Sequence, residues 1–231
     1  MQAILRQGLA AQGLDETKAE PLEAFARAVL ERNKVMNLTA ITDEADFVRL
    51  HLLDSAALLN VAEFGGKRVV DVGTGAGFPG VPLRILRPDV RMTLLDSTRK
   101  RVDFLRETCA ALGLGNVDCV HARAEEYAAE RREGFDLATS RAVAALPVLC
   151  ELCLPFVRVG GQFLAMKSAQ SDAELEGAMD AIAALGGRLA DVADYAIPGS
   201  DVTHRVIVID KVTPTPGRYP RAFGKIKKSP L

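Results

Sequence analysis

The sequence predicts an α/β fold with a mainly parallel, seven-stranded sheet, helices on both faces of that sheet, and a helical region before it. Two observations predict this fold. Short β-branched runs alternate with amphipathic segments from residue 67 onwards, as in repeated βα units. Before that point, apolar residues recur every three or four positions, as on one face of a helix.

The N-terminal region is predicted to be helical over residues 1–64. The strongest pattern lies in "PLEAFARAVLERNKVMNL", and a second apolar series continues it as far as residue 58. The residues of the two series are Leu22, Phe25, Ala26 and Val29, then Phe47, Leu50, Leu53 and Leu58.

The sheet is predicted to occupy residues 65–212. Its strands are the segments "KRVVDV", "RMTLLD", "VDCVHA", "FDLATS", "GQFLAM", "RLADVADYAI" and "HRVIVID". Helical segments such as 98–112 and 142–157 lie between the first five strands, and another follows over 172–185. Only a short link joins the last two strands, so we expect those two to be antiparallel.

The C-terminal tail, residues 213–231, is predicted to be a basic arm rather than core. The formal net charge of the whole chain is -1, so any affinity for RNA must come from a local patch. Arg218, Arg221 and Lys225 are expected to contact RNA, and Tyr219 either stacks on a base or packs against its neighbouring proline. We expect loss of this tail to leave cofactor affinity almost unchanged.

A glycine-rich loop, "DVGTGAGFPG", follows the first strand and predicts a ligand that passes close to the backbone. Gly75, Gly77 and Gly80 match the dinucleotide fingerprint, which leaves an NAD-dependent oxidoreductase as one alternative. Asp71 and Gly73 extend the pattern to D-x-G-x-G-x-G. An acid at that point suits a ligand with a cationic amino group better than a pyrophosphate.

Further candidates follow the next three strands. Asp96 stands 21 residues after Gly75, where an acid can accept hydrogen bonds from ribose hydroxyls, although it could instead cap a helix. Ala124 and Glu125 follow the third strand, and Arg141 the fourth. Glu125 could be an ordinary surface acid and Arg141 a structural ion pair. Together with the glycine loop, the pattern resembles the Rossmann-like, class I methyltransferases that use S-adenosylmethionine.

The sequence lacks the residues that a disulfide framework or a zinc site would need. The four cysteines are too few and too scattered for a disulfide framework, and the Cys150 and Cys153 pair lacks two further zinc ligands. We find no signal peptide or apolar span of about 20 residues. We therefore expect a cytoplasmic protein with no metal and no membrane contact.

Several segments together resemble the RsmG family, also called glucose-inhibited division protein B. They are "NLTAI", "HLLDS", "VVDVGTGAGFPGVPLRI", "LLDSTRKRVDFL", "SRAVA" and "RYPR". The resemblance implies S-adenosylmethionine-dependent methylation of N7 of a guanosine, nucleotide 527, in the 530 loop of 16S ribosomal RNA. Its implied partner is 16S ribosomal RNA or the small ribosomal subunit, and we expect a monomer.

The resemblance also implies the contacts with the cofactor, with Asp96 on the ribose. The other contact residues are Gly73, Phe78, Ala124, Glu125 and Arg141. Guanine N7 has a free lone pair and carries no proton, so we expect no general base and no catalytic side chain. His51, Asn37 and Asp54 either stabilise the helical region or contact RNA. The remaining alternative is an RNA-binding assembly factor without enzymatic activity.

Overall fold

A computed structural model of the chain describes residues 1–141 and 143–231. The sheet has seven strands in the order β3-β2-β1-β4-β5-β7-β6. Their bounds are β1 Arg68–Val72, β2 Arg91–Asp96, β3 Val117–His121, β4 Phe135–Arg141, β5 Val157–Ser168, β6 Gly187–Ala196 and β7 Thr203–Lys211. The first five strands are parallel, and β7 pairs antiparallel with both β5 and β6. The predicted strand count, the mainly parallel sheet and the antiparallel last pair are confirmed.

The helices alternate with these strands as expected from a series of βα units. They are α1 Gln2–Ala11, α2 Ala19–Met36, α3 Glu44–Phe47, α4 Asp54–Ala56, α5 Gly80–Leu86, α6 Arg99–Ala111, α7 Ala124–Glu130, α8 Leu146–Cys153, α9 Asp172–Glu176, α10 Met179–Ala184 and α11 Phe223–Lys228. A π-helical turn, Val48–Leu53, joins α3 to α4.

Two predicted helices differ from the observed ones. Within the described residues 143–157 of the helix predicted over 142–157, the structure has α8 followed by a 3-10 turn, Leu154–Phe156, because Pro155 has no N–H to continue an α-helix; residue 142 lies outside the described residues. The helix predicted over 172–185 is divided into α9 and α10 around Gly177. Both differences are local and leave the order of elements unchanged.

The N-terminal helices cover one face of the sheet. Phe25 on α2 and Phe47 on α3 are fully buried in the same apolar cluster as strand residues Val69 and Leu94. Helices α5 and α6 join this cluster through Val81 and other side chains. The helical region is therefore a packed layer of the protein and brings its own side chains to the sheet.

Helices α7, α8 and α10 cover the opposite face, and the C-terminal segment packs there with them. Tyr219 and Ile226 are buried in the same cluster as Leu149 and Phe163. The sequence predicts a basic arm over residues 213–231, but the structure folds this segment onto the body because it carries apolar side chains between the basic ones. Within the described residues, no helix combines the length and apolar character needed to cross a membrane.

Candidate active site

The glycine loop lies between β1 and α5, at the carboxyl edge of the parallel strands. Gly75 has φ +59°, a value that residues with a Cβ rarely adopt. The N–H groups of Gly73 and Thr74 both donate to the Leu95 carbonyl at 2.8 and 3.1 Å. The loop is therefore held against the end of β2, where Asp96 is the last residue.

Asp71 shapes this loop from inside. Its carboxylate is fully buried and accepts hydrogen bonds from the Thr74 hydroxyl (2.7 Å), the Gly80 N–H (2.9 Å) and the Thr139 hydroxyl (3.2 Å). Burial raises the pKa of Asp71 to about 6. The sequence predicts Asp71 as a contact of the ligand's amino group, and the structure shows that the carboxylate already accepts from three protein donors.

Gly77 lies where the loop packs closely against neighbouring side chains. Its φ is +104°, and a Cβ there would lie within 3.1 Å of side-chain atoms of Val81, Leu105 and Phe25. Gly77 therefore allows close packing of the loop on the N-terminal helices. Neither Gly77 nor Asp71 is among the described residues that line the two cavities below, so the contact of these two residues with a ligand stays a prediction.

Asp96 connects the loop to the next helix. Its Oδ2 accepts the Gly75 N–H at 3.0 Å, and its Oδ1 accepts the Thr98 N–H at 2.7 Å. The Arg101 guanidinium lies 3.7 Å from the same carboxylate. The two alternatives for Asp96 are thus compatible, since a carboxylate oxygen that accepts one backbone N–H keeps a second lone pair for a ligand hydroxyl.

A cavity of about 130 Å³ lies beside Asp96 at the ends of β1, β2 and β3. Its lining includes three predicted residues, Gly73, Ala124 and Glu125, together with Asp96 itself. Apolar side chains make up much of the remainder: Val72, Leu95, Ala122, Val143, Leu152 and Phe223. Apolar walls with a carboxylate at one end suit a nucleoside, whose base is flat and whose ribose carries hydroxyl donors.

A second cavity, of about 320 Å³, lies on the other side of the glycine loop. Gly73 and Val143 line both cavities, so the two adjoin at this pair. The second cavity is also lined by Gly75, Phe78 and Arg141, which are predicted site residues. The Phe78 ring stacks on the His51 ring with centroids 4.7 Å apart and planes 15° from parallel.

Arg141 ties strand β4 to the N-terminal helices. Its Nη1 donates to the Asp54 carboxylate and to the Leu50 carbonyl, both at 3.0 Å, and its Nη2 donates to His51 Nδ1 at 2.9 Å. Asp54 is buried and also accepts from the Tyr195 hydroxyl and from His204 Nδ1, each at 2.7 Å. Burial opposes ionisation of Asp54, but the His204 hydrogen bond and the Arg141 charge outweigh it and lower its pKa.

These contacts determine the tautomer of His51. A guanidinium can only donate, so Nδ1 of His51 accepts from Arg141 and Nε2 carries the proton. That N–H donates to the Thr39 hydroxyl oxygen at 2.8 Å, which also accepts the Ile41 N–H at 3.1 Å. Burial and the Arg141 charge lower the pKa of His51 to about 3. His51 is therefore neutral near pH 7, and the Thr39 hydroxyl, which lines the second cavity, keeps its proton for another acceptor.

The predicted RNA-contact residues fall into two groups. Arg218 and Lys225 are exposed. Tyr219 is buried, and Arg221 donates through Nε and Nη2 to the buried Glu151 carboxylate at 2.8 and 2.6 Å. Tyr219 and Arg221 therefore anchor the C-terminal segment, which the net charge and the proline content of the tail do not indicate.

Two site residues were missed by sequence reasoning. Thr39 stands in the quoted "NLTAI" segment without a predicted role, and Phe223 lies in the basic tail. Their positions depend on contacts between segments that are distant in the chain. Thr39 is hydrogen-bonded to His51, and Phe223 lines the cavity because the tail folds back onto the sheet. In the part of the chain that the structure describes, no group of three or more His, Cys, Asp or Glu side chains could hold a metal ion.

Comparison with known proteins identifies the family. The model of the family described as "rRNA small subunit methyltransferase G" matches residues 18–198. A relative of that name from Alkaliphilus oremlandii is 47% identical over 235 residues, with 99% of this chain and 98% of the relative covered. Another, from Clostridium perfringens, is 44% identical over 220 residues, with 94% and 92% covered.

The fold is shared with solved methyltransferases. One is M. jannaschii TYW2, crystallised with AdoMet, with a TM-score of 0.56 at 16% identity over 69% of this chain and 75% of that one. The order of the seven strands and the family match together define a methyltransferase with the class I fold of these structures. Within that class, this chain belongs to the family of rRNA small subunit methyltransferase G.

Proposed function

We propose that this enzyme transfers a methyl group from S-adenosylmethionine to N7 of a guanosine in the 530 loop of 16S ribosomal RNA, nucleotide 527 by family resemblance. The observation that carries the substrate assignment is the 47% identity, over almost the whole chain, to a relative named as an rRNA small subunit methyltransferase. The NAD-dependent alternative is set aside because the chain belongs to a methyltransferase family.

The residues that would hold the cofactor divide between the two cavities. Asp96 would accept hydrogen bonds from the ribose, and Ala124 and Glu125 would lie against the adenine. Gly73 and Gly75 would lie along the methionine portion, near the positive charge of Arg141. When bound, S-adenosylmethionine supplies an electrophilic methyl group on a sulfonium sulfur.

Two properties of the site support a mechanism without a general base. His51 is a very weak base, with a pKa of about 3, and both of its ring nitrogens are already hydrogen-bonded. The carboxylate of Asp54, the buried acid beside His51, already accepts hydrogen bonds from Arg141, Tyr195 and His204. Guanine N7 needs neither group, because it attacks the methyl carbon in line with its own lone pair. The role of these side chains is to hold the reacting groups in position.

Exposed basic residues around the site support an RNA substrate. Arg99 and Lys100 begin α6 directly after Asp96, and Lys225, Lys227 and Lys228 are exposed on α11, the helix that contributes Phe223 to the cofactor cavity. They provide a local positive surface despite the net charge of -1. We expect all three predicted regions to contribute to one binding surface: the helical region 1–64, the sheet region 65–212 and the segment 213–231.

The test is methylation of small ribosomal subunits, and of their naked RNA, from cells that lack this modification. We expect S-adenosylmethionine with a labelled methyl group to label one guanosine of the 530 loop at N7. Reduction and aniline cleavage would locate it, because 7-methylguanosine is cleaved under those conditions and unmodified guanosine is not. Label at another position or on another atom would contradict the proposal.

A further inference from the structure

The C-terminal helix α11 reaches the cavity that we assign to adenosine. Phe223, its first residue, lines this cavity together with Asp96, Ala124 and Glu125. The side chain comes from a segment that the sequence predicts to be a basic arm. Its position gives the cavity an aromatic wall.

Arg123 holds the Phe223 ring. The guanidinium carbon lies 4.5 Å from the ring centroid, within the range of a cation–π contact. Arg123 Nε also donates to the Glu125 carboxylate at 2.8 Å. Arg123 therefore links Phe223 to Glu125, which follows β3.

The segment that carries Phe223 is attached to the body on both sides of this residue. Before it, the buried Glu151 carboxylate accepts from the backbone N–H of Arg221 at 2.8 Å and from its guanidinium. After it, Ile226 is fully buried in the second core cluster. Arg132 adds hydrogen bonds to three carbonyls of the segment, those of Thr215, Pro216 and Tyr219. Phe223 thus belongs to a fixed part of the fold.

We propose that Phe223 contacts the adenine ring of the cofactor and that the segment 213–231 completes the cofactor site. An aromatic side chain is suited to this position because every purine offers a flat π-face or an apolar edge to it. The inference deepens the proposed function and rests on its assignment of the adenosine cavity. It also reverses the expectation that loss of the tail leaves cofactor affinity unchanged.

Calorimetric titration of the full-length protein with S-adenosylhomocysteine and with adenosine tests this inference. We expect Phe223→Ala to weaken both ligands about tenfold and by the same factor, since both carry adenine. Phe223→Tyr, which keeps the ring, is expected to bind as the wild type does. Ser229→Ala is the matched control, because Ser229 is exposed at the end of the same helix and does not line the cavity.

The outcomes separate this inference from the proposed function. Unchanged affinity of Phe223→Ala for both ligands, in a protein whose wild type binds them, would overturn the role of Phe223. No binding by the wild type would instead contradict the assigned cofactor cavity and the inference with it. If Phe223→Ala fails to fold, Phe223→Leu decides, because it keeps an apolar anchor but lacks an aromatic face. Weakened binding of that variant supports the inference and unchanged binding overturns it.

Discussion

Arg141 and Asp54 form a buried ion pair, with Nη1 and Oδ2 3.0 Å apart, although 87 positions separate them in the chain. The pair joins the end of β4 to the first residue of α4 and so attaches the N-terminal helices to the sheet beside the glycine loop. The two side chains are only 16% and 1% exposed. Removing one partner would leave the other charge buried and unpaired.

The first prediction follows from this pair. We expect Asp54→Ala to lower the free energy of unfolding by about 3 to 5 kcal/mol, the usual cost of an unpaired buried charge. Urea unfolding followed by circular dichroism would measure the change. The control is Asp46→Ala, whose partner Arg49 is 3.8 Å away and partly exposed, with an expected loss below about 1 kcal/mol. Equal losses in the two variants would contradict the central role of the Asp54 pair.

The second prediction concerns the protonation of His51. Its pKa of about 3 means that His51 of the folded protein is almost entirely unprotonated between about pH 4 and 6.5, whereas in the unfolded chain it takes up a proton over this range. His51 therefore contributes stability that is complete above about pH 6.5 and is lost as the pH falls. We expect the His51 ring resonances in an NMR titration to stay constant from pH 8 down to pH 5. A midpoint near 6.5 would show that burial and the Arg141 charge do not suppress protonation of the ring.

The third prediction uses the opposite shift at Asp71. Its pKa is raised to about 6, so the folded protein keeps a proton that the unfolded chain releases between about pH 3.8 and 6. The stability that Asp71 contributes thus falls as the pH rises through this window, by on the order of 2 to 3 kcal/mol. Asp71→Asn lacks this titration and can still accept from Gly80 and donate to Thr139.

The measurement for Asp71 is a difference between two proteins, which cancels the titration of all other groups. We expect the free energy of unfolding of Asp71→Asn minus that of the wild type to increase from pH 4 to pH 6 and to be constant above about pH 7. A difference that does not vary with pH would mean that the carboxyl of Asp71 titrates normally in the folded protein.

The sequence predicted the sheet well because its signals are local. Strand β2 is a short segment of mostly apolar residues, Met92 to Leu95, between the charged residues Arg91 and Asp96. A loop so rich in glycine between a strand and a helix fits few other structures. Ion pairs such as Arg141 with Asp54 and anchors such as Arg221 with Glu151 depend on which distant segments meet. Charge counts along the chain do not reveal such pairs, so the sequence predicts an RNA contact for Arg221 and gives no sign of its ion pair with Glu151.

The fourth prediction tests Asp96 as the residue that connects the loop and the ribose. In Asp96→Asn, the amide nitrogen would face either the Gly75 N–H or the Thr98 N–H, and one acceptor is lost. We expect the affinity for S-adenosylhomocysteine to fall by about 1 to 3 kcal/mol, measured by calorimetry. The control is Asp103→Asn, which changes an exposed acid on α6 that pairs with Arg106. A similar loss of affinity in both variants would show that the loss comes from removing a negative charge and not from removing the contact between Asp96 and the loop.

The last prediction concerns the exposed cations of the C-terminal helix. Each phosphate contact that is lost should reduce the slope of log affinity against log salt by roughly 0.7 to 0.9. We expect the combined change Lys225→Ala and Lys227→Ala to flatten the slope by up to twice that amount for a 530-loop RNA. Cofactor affinity should remain unchanged, because neither lysine lines the cavity that Phe223 lines.

Fluorescence titrations at several salt concentrations would measure the slope. Lys34→Ala, which removes an exposed lysine paired with Glu31 on α2, is the control. An unchanged slope for the double variant would contradict the role of Lys225 and Lys227 in binding phosphates. Arg99 and Lys100, the exposed cations at the start of α6, would then be the next residues to test.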